Sequence, residues 1–271
     1  MNKFLKKIFP LKIFNFIYYL RNYNHNVYKI NPPINLKNSI SDLFIWSSKC
    51  NQINFIAENI RALILGKKVD VIHNFKFFSK DGILISHQRY KANSFFERIS
   101  FEDFKSDGEY FSFIHFVESE VTLSQILDIK GLKNKKDFCE QNRGYTVYYP
   151  GDKNSGSVVH GNFGGVYKDE KKLAITNIKK HIYTPIYKFK KESTYDIVFN
   201  NPTDKKLIIN LILNNNLEYK KLTLPSLGTR FINLKGYEGS VSFESRLAIC
   251  RALIFKNPAP NSRGDFDVFH S

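Results

Sequence analysis

Hydrophobic and polar residues alternate in short runs along most of the chain beyond residue 40. These runs are rich in Ile, Val, Phe, Tyr and Thr, and Asn, Gly, Asp and Pro separate them. Residues 207–213 are one such run, and alternation with a period of two is typical of a half-buried strand. Helical periodicity is limited to residues 54–65, where a strand pattern competes with it, and to residues 122–129. The pattern therefore predicts an all-β fold.

A weak internal similarity links two parts of this β-rich region. Each part contains a hairpin, then a third strand, then a fourth strand that follows a glycine. The strand rhythm resembles that of immunoglobulin and fibronectin modules, which implies two tandem antiparallel β-sandwich units. The alternative is chance, because two β-rich stretches can be aligned at some offset. The alignment pairs three positions at offsets of 134, 133 and 131 residues: Asp81 with Asn215, Arg98 with Phe231, and Gly108 with Gly239.

These patterns divide the chain into four parts. Residues 1–38 form a basic, aromatic-rich extension with a short helical piece, and residues 39–118 form the first sandwich unit. Residues 191–271 form the second sandwich unit and a docked C-terminal tail. Between the two units, residues 119–190 form a Gly/Tyr-rich β segment that fits neither. We expect this connecting segment to carry the candidate site.

The N-terminal extension has a distinct charge. Residues 1–41 hold seven basic residues and no acidic one, and an apolar, aromatic stretch follows the first lysines. Basic, apolar segments of this kind bind the anionic face of a membrane, which predicts a cytoplasmic protein peripheral to the inner face. The alternative is an extension that packs on the main body. No apolar run approaches 20 residues, which excludes a membrane-spanning segment. The expected membrane contacts are Lys3, Lys6, Lys7 and Lys12.

The whole chain carries a formal charge of +16, from 41 basic and 25 acidic residues. Arginine supplies only nine of the basic residues, whereas phosphate and base recognition favours the arginine fork. A nucleic-acid partner is therefore disfavoured. The three cysteines, Cys50, Cys139 and Cys250, lie far apart, which disfavours a disulfide framework and a zinc site. Three free thiols are expected, and the alternative is one disulfide bridge with one spare thiol. No motif for a metal or an organic cofactor occurs, and we predict none.

The connecting segment contains a dense set of polar and aromatic residues beside several glycines. Arg143 is a candidate clamp for an anion, and His160 is a candidate for proton exchange near neutral pH. Asn162 is suited to a hydroxyl group, and Tyr145 and Tyr148 are candidates for contacts with a sugar ring. In the alternative interpretation the glycines shape turns and bulges, and the histidine and tyrosines are structural.

The C-terminal tail supplies further candidates for the same site. It ends in Phe-Asp-Val-Phe-His-Ser, which favours a segment docked on the body over a frayed end. If the tail folds back across the connecting segment, its side chains join Arg143 and His160. The candidate ligand-binding residues of this part are Arg246, Arg251, Asp267 and His270.

Three functions follow from these observations. The absence of familiar catalytic motifs favours a non-catalytic binding or scaffold protein that recognises a glycan or another hydroxylated, anionic ligand. The alternative is an enzyme that uses His160 as acid or base and Arg143 as an anion clamp on a sugar or small acid. A nucleic-acid binder is the second alternative.

Overall fold

The computed structural model describes residues 39–101, 108–122, 125–126, 128, 140–142, 144–151, 156–166, 176–184, 187–203, 206–213, 218–247, 251–258 and 265–271. The regular elements in these ranges are almost all β-strands, and they form small sheets whose pairings are antiparallel with one exception. The predicted all-β fold is therefore confirmed.

Residues 39–166 form two sheets. Their ten strands are β1 Ser39–Ser47, β2 Gln52–Glu58, β3 Val71–Phe78, β4 Leu84–Ala92, β5 Phe96–Ser100, β6 Tyr110–Glu118, β7 Glu140–Asn142, β8 Gly144–Tyr149, β9 Ser157–His160 and β10 Asn162–Val166. The first sheet has the order β10-β1-β6-β3-β4, and β7 pairs with β1 in parallel. The second sheet has the order β5-β2-β8-β9.

Residues 176–271 form two more sheets. Their eight strands are β11 Thr176–Tyr183, β12 Thr194–Asn200, β13 Leu207–Leu213, β14 Glu218–Leu224, β15 Thr229–Lys235, β16 Val241–Leu247, β17 Leu253–Lys256 and β18 Asp267–His270. The third sheet has the order β11-β16-β13-β14, and the fourth has the order β15-β12-β17-β18.

Each half of the described chain has its own hydrophobic core between two sheets. In the first half, rings from β1, β3 and β6 meet residues of β2 and β5, and Phe44 and Phe55 pack edge to face at 5.0 Å. In the second half, β12, β15 and β17 share a core with β13, β14 and β16. Burial of these apolar side chains holds the two sheets of each half together.

A third core joins the two halves. It combines Ile45 and Tyr148 of the first half with Val198 and Phe255 of the second. Strand β12 therefore has both faces covered, since Ile197 points into the core of its own half and Val198 into the shared core. This explains why six of its seven residues are buried.

Residues 54–65, where the sequence favoured strand and helix equally, contain both. Strand β2 ends at Glu58, and a short helix, α1, runs from Ile60 to Leu65. Asn59 caps the helix, because its side chain accepts a hydrogen bond from Ala62 N at 3.1 Å. Gly66 ends the helix in the left-handed conformation, with φ of 68°.

Two turns from opposite halves touch backbone to backbone. The turn between β3 and β4 contains Gly82, whose φ is 79°, and a Cβ placed there would lie 1.9 Å from Ser226 O. Thr229 N donates to Lys80 O at 3.1 Å, and Arg230 Nη2 donates to Asp81 Oδ1 at 2.8 Å. This contact therefore requires glycine at position 82.

The predicted sandwich type and segment boundaries are not confirmed, and the N-terminal extension lies outside the described residues. The sheet orders do not confirm an immunoglobulin-like arrangement. Strands β8 and β9 lie within the predicted connecting segment 119–190, but β8 pairs with β2 and β9 pairs with β8, so both complete a sheet of the first half. Residues 1–38, with Lys3, Lys6, Lys7 and Lys12, lie outside the described residues, as do Cys139 and Cys250. Cys50 is a free thiol, and none of the described helices is long and apolar enough to cross a membrane.

Candidate functional site

The candidate site lies where strands β9 and β18 run side by side. Ser157 Oγ donates to Asp267 Oδ1 at 2.8 Å, and Val268 N donates back to Ser157 Oγ at 3.0 Å. At the other end of the two strands, His270 Nε2 lies 2.9 Å from His160 O. The C-terminal tail is thus docked against the strand that carries His160.

Two imidazole rings stack at this junction. The ring centroids of His160 and His270 are 4.4 Å apart, and the ring planes differ by 28°. A carbonyl oxygen only accepts hydrogen bonds, so His270 carries its proton on Nε2. By the same argument His160 carries its proton on Nδ1, which lies 2.8 Å from Gly161 O. In the neutral form of the His160 ring, Nε2 then carries the lone pair.

His270 stays neutral at physiological pH. Burial, together with the nearby His160 and Arg251, lowers the pKa of its imidazole to about 4, although a hydrogen bond to the His160 backbone acts in the opposite direction. A neutral ring beside a second imidazole avoids the repulsion that two cations would feel at this distance.

A row of side chains crosses the outer face of the sheet β5-β2-β8-β9. His160 is the register partner of Tyr145, Tyr145 of Ile56, and Ile56 of Arg98. Directly paired residues point to the same face, and three strand spacings make this row about 14 Å long. Arg98, Tyr145 and His160 are exposed, and 44% of Tyr145 is accessible. We name Arg98, Ile56, Tyr145 and His160 the outer row.

Arg98 is oriented by its neighbours on that face. Its Nη2 donates to the Tyr149 hydroxyl at 2.8 Å, and its guanidinium carbon lies 5.5 Å from the centre of the Tyr149 ring. With the amide of Asn54 in its favourable orientation, the Asn54 oxygen also accepts from Arg98 at 2.8 Å. An arginine held by two neighbours keeps its remaining donors ready for an anionic group.

The predicted site residues fall into three groups. Tyr145, His160 and His270 come together, and Arg251 is exposed nearby. Tyr148 was expected on the same exposed surface as Tyr145, which is wrong: it points to the opposite face of β8, is 1% exposed, and donates to Ile45 O at 2.6 Å. Asp267 bonds Ser157 and does not face the imidazoles. Arg143 and the side chains of Asn162 and Arg246 lie outside the described residues.

Sequence reasoning missed Arg98. It lies 62 residues before His160 in the chain, and only the pairing of β5 with β2 brings it to the outer row. The available signal was its strand pattern, since Arg98 alternates with the buried Ile99. That alternation places the arginine on the exposed face but does not indicate which sheet it joins.

Two buried polar clusters lie apart from the outer row. Asp196 is fully buried and accepts from Lys49 Nζ at 2.6 Å, Tyr110 Oη at 2.5 Å and Asn233 Nδ2 at 2.6 Å. Lys49 and Tyr110 belong to the first half and Asp196 to the second, so this cluster joins the halves. The second cluster is the fully buried pair His73 and His115, with Nδ1 and Nε2 2.9 Å apart.

A groove with a volume of about 1190 Å³ lies beside β3, β4 and the end of β6. Its wall mixes both signs of charge, with Lys67, Lys68 and Lys91 beside Asp70, Glu97, Glu118 and Glu120. A mixed wall of this kind is poorly suited to a phosphate backbone, which needs a continuous positive surface.

Within the described part of the chain, no three histidine, cysteine or acidic side chains are grouped so as to hold a metal ion. No family model matches the chain, and no curated protein matches it either. Among solved structures, the chain is similar to vicilin from Solanum lycopersicum (tomato), at 7% identity over 82% of this chain and 73% of that chain, with a TM-score of 0.20. A likeness this weak carries no argument about fold or function.

Proposed function

We propose that this protein is a non-catalytic β-sandwich binding protein, and that its outer row recognises an acidic glycan or another hydroxylated, anionic ligand. The observation that carries the proposal is the row itself, in which an exposed tyrosine stands between an oriented arginine and a histidine. Ring faces of tyrosine suit the apolar side of a sugar, and arginine suits a carboxylate or sulfate.

The size and electrostatics of the row support an extended ligand. About 14 Å separates the first strand of the row from the last. Arg98 at one end and His160 at the other offer a cationic group and a polar group with a free lone pair. Such spacing favours an oligomeric ligand, with a charged group at Arg98 and a hydroxyl at His160.

The test is calorimetric titration of the full chain with an oligogalacturonate and with a neutral maltooligosaccharide. We expect the acidic oligomer to bind and the neutral one to bind at least tenfold more weakly, a difference of about 1.4 kcal/mol or more. Arg98→Gln should remove the preference for the acidic oligomer, and Tyr145→Ala should weaken both. Ile208→Ala, at an exposed position on β13 in another sheet, is the matched control and should bind normally.

Two results would overturn this proposal. One is undiminished binding by the Tyr145→Ala and Arg98→Gln variants, which would move the site elsewhere. The other is tight binding of a single-stranded oligonucleotide with a steep salt dependence, which would favour a nucleic-acid binder.

The orientation of His160 favours a second candidate, an enzyme acting on a sugar or small acid. A histidine whose Nδ1 proton is held by a carbonyl has Nε2 available as a general base. An enzyme of this kind loses turnover in His160→Ala while its binding of the oligomer persists. A binding protein shows no turnover of the oligomer in either form.

We further propose that the two halves of the chain are tandem β-sandwich repeats. The strand orders support this, since β1-β6-β3-β4 corresponds to β11-β16-β13-β14 and β5-β2-β8-β9 to β15-β12-β17-β18. The residue pairings between neighbouring strands support the repeat independently of the strand orders. Equating His160 with His270 and following the paired residues across each sheet leads to Arg98 and Phe231, the pair that the sequence alignment had matched. Superposing the halves in an experimental structure, with His160 on His270, tests this.

The N-terminal extension remains a proposed contact with an anionic membrane, which implies a cytoplasmic protein at the inner face. Its support is the sequence alone, namely seven basic residues without an acidic one in residues 1–41. Sedimentation with vesicles that contain phosphatidylserine tests this. Replacing Lys3, Lys6, Lys7 and Lys12 by glutamine should release the protein, since each lysine near such a surface contributes about 1 kcal/mol.

A further inference from the structure

A small cavity lies behind the outer row, on the inner side of the sheet. Its volume is about 10 Å³, which is close to the space that one water molecule needs. Strands β1, β8, β9, β17 and β18 all contribute to its wall, which includes Thr146, Tyr148, Asn200 and His270. The cavity therefore lies at the junction of the two halves.

Two residues that line the cavity carry a polar side-chain atom without a hydrogen-bond partner of good geometry among the described residues: Thr146 Oγ1, whose side chain also interacts with Tyr148, and His270 Nδ1. Thr146 is 1% exposed, and both atoms are shielded from solvent. A buried polar atom without a hydrogen bond destabilises the fold, and one bound molecule in the cavity could satisfy both atoms.

The protonation of His270 specifies what fits between them. Because Nε2 holds the proton that is donated to His160 O, Nδ1 offers only a lone pair. The guest must therefore donate a hydrogen bond to His270 and form a second hydrogen bond with the Thr146 hydroxyl, which can either donate or accept. A carboxylate or halide lacks the donor, and an aliphatic group lacks both functions. A single O–H group provides both.

We propose that this cavity binds one small hydroxylic ligand, a water molecule, that links Thr146 Oγ1 to His270 Nδ1. The bound molecule joins β8 of the first half to β18 of the second. It also reinforces the Nε2-protonated tautomer of His270, which the hydrogen bond to His160 O already favours. The inference concerns the inner side of the sheet and does not depend on the ligand of the outer row.

A double-mutant cycle tests the link. Thr146→Val removes the hydroxyl at constant shape, and His270→Gln keeps a donor near Nε2 while removing Nδ1. If one molecule bridges the two, the effects on the unfolding equilibrium constant in urea depart from multiplicativity by roughly threefold or more. The matched control is Thr229→Val, because the Thr229 hydroxyl is also buried and donates to Tyr110 O at 2.9 Å. Its effect on the unfolding equilibrium constant should multiply with that of His270→Gln.

The proposal fails if Thr146 and His270 combine multiplicatively within about twofold, or if Thr146→Val stabilises the protein, as it would in a dry cavity. It also fails if the coupling appears with Tyr148→Phe and not with His270→Gln, because Thr146 would then bond Tyr148 directly. A high-resolution crystal structure provides a readout that needs no variant. We expect one electron-density peak within hydrogen-bond distance of both atoms, and its absence would overturn the proposal.

Discussion

The fold should lose stability between pH 6.5 and pH 4, before most carboxylates are protonated. The only change is a lower pH, and the group whose protonation should matter most is the imidazole of His73. Burial lowers the pKa of this imidazole to about 4, with the nearby Glu97 raising and Arg61 lowering that pKa. In the unfolded chain the same group titrates near 6.5, so between pH 6.5 and pH 4 the unfolded state binds a proton that the folded state does not bind.

The sign and size follow from that difference. The contribution of His73 to stability is fully present above pH 6.5 and is lost as the pH falls toward 4. Two pKa values of 6.5 and about 4 give a loss of about 2 kcal/mol at pH 5 and about 3 kcal/mol at pH 4. His270 has a similar pKa but is reached by water, so we expect a smaller share from it.

The assay is urea unfolding at pH 7.5, 6.0, 5.0 and 4.0, followed by circular dichroism. We expect the free energy of unfolding to fall by at least about 2 kcal/mol between pH 7.5 and pH 5.0. A domain of ordinary stability, about 5–15 kcal/mol, survives that loss and gives a measurable transition. A stability that is the same at pH 7.5 and pH 5.0 within about 0.5 kcal/mol would refute the reasoning. In His73→Gln the pH dependence in this window should shrink, because the titrating group is gone.

Three further predictions concern other contacts between or within the halves. Gly82→Ala should destabilise the fold by about 2 kcal/mol more than Gly66→Ala, because both glycines have positive φ but only Gly82 touches another backbone. Thermal or urea unfolding measures the two losses of stability, and equal losses would contradict the prediction. Asp196→Asn should cost about 2 kcal/mol, since it leaves Lys49 with only the half-exposed Glu109 as a charged partner. A loss below about 0.5 kcal/mol in urea unfolding would show that the buried pair contributes little. Burial lowers the pKa of Lys49, but its hydrogen bonds to Asp196 and Glu109 outweigh burial and raise that pKa. This cluster should therefore lose its stabilising effect only as the pH rises above about 10.5. Alkaline unfolding of the wild type and of Asp196→Asn measures this loss.

Much of the fold was predictable because the strands follow local rules. The two hairpins, β3 with β4 and β13 with β14, have clear alternation and turn residues between them, and both form as expected. Strand β12 is different. Both of its faces are covered, so Asp196 is buried although the sequence gives no sign that Lys49 and Tyr110, two of its partners, come from the other half of the chain.

The candidate site shows the same division between local and distant information. Tyr145 and His160 lie on adjacent strands joined by a short connection, so their proximity followed from the sequence. Tyr148 was grouped with Tyr145, but an odd separation of three residues along a strand places the two side chains on opposite faces. Arg98 required knowledge of which strands pair, and that is a property of the whole sheet.

The position of the imidazole pair connects the proposed repeats with the proposed function. His160 and His270 each end the last strand of their sheet, and the two strands lie next to each other. If the halves are repeats, these histidines are equivalent residues that meet on the axis relating the halves, and neither half alone builds the stacked pair. Ligand binding through His160 should then depend on the association of both halves. Weakening their contact at Gly82 should reduce ligand affinity, although Gly82 lies outside the outer row.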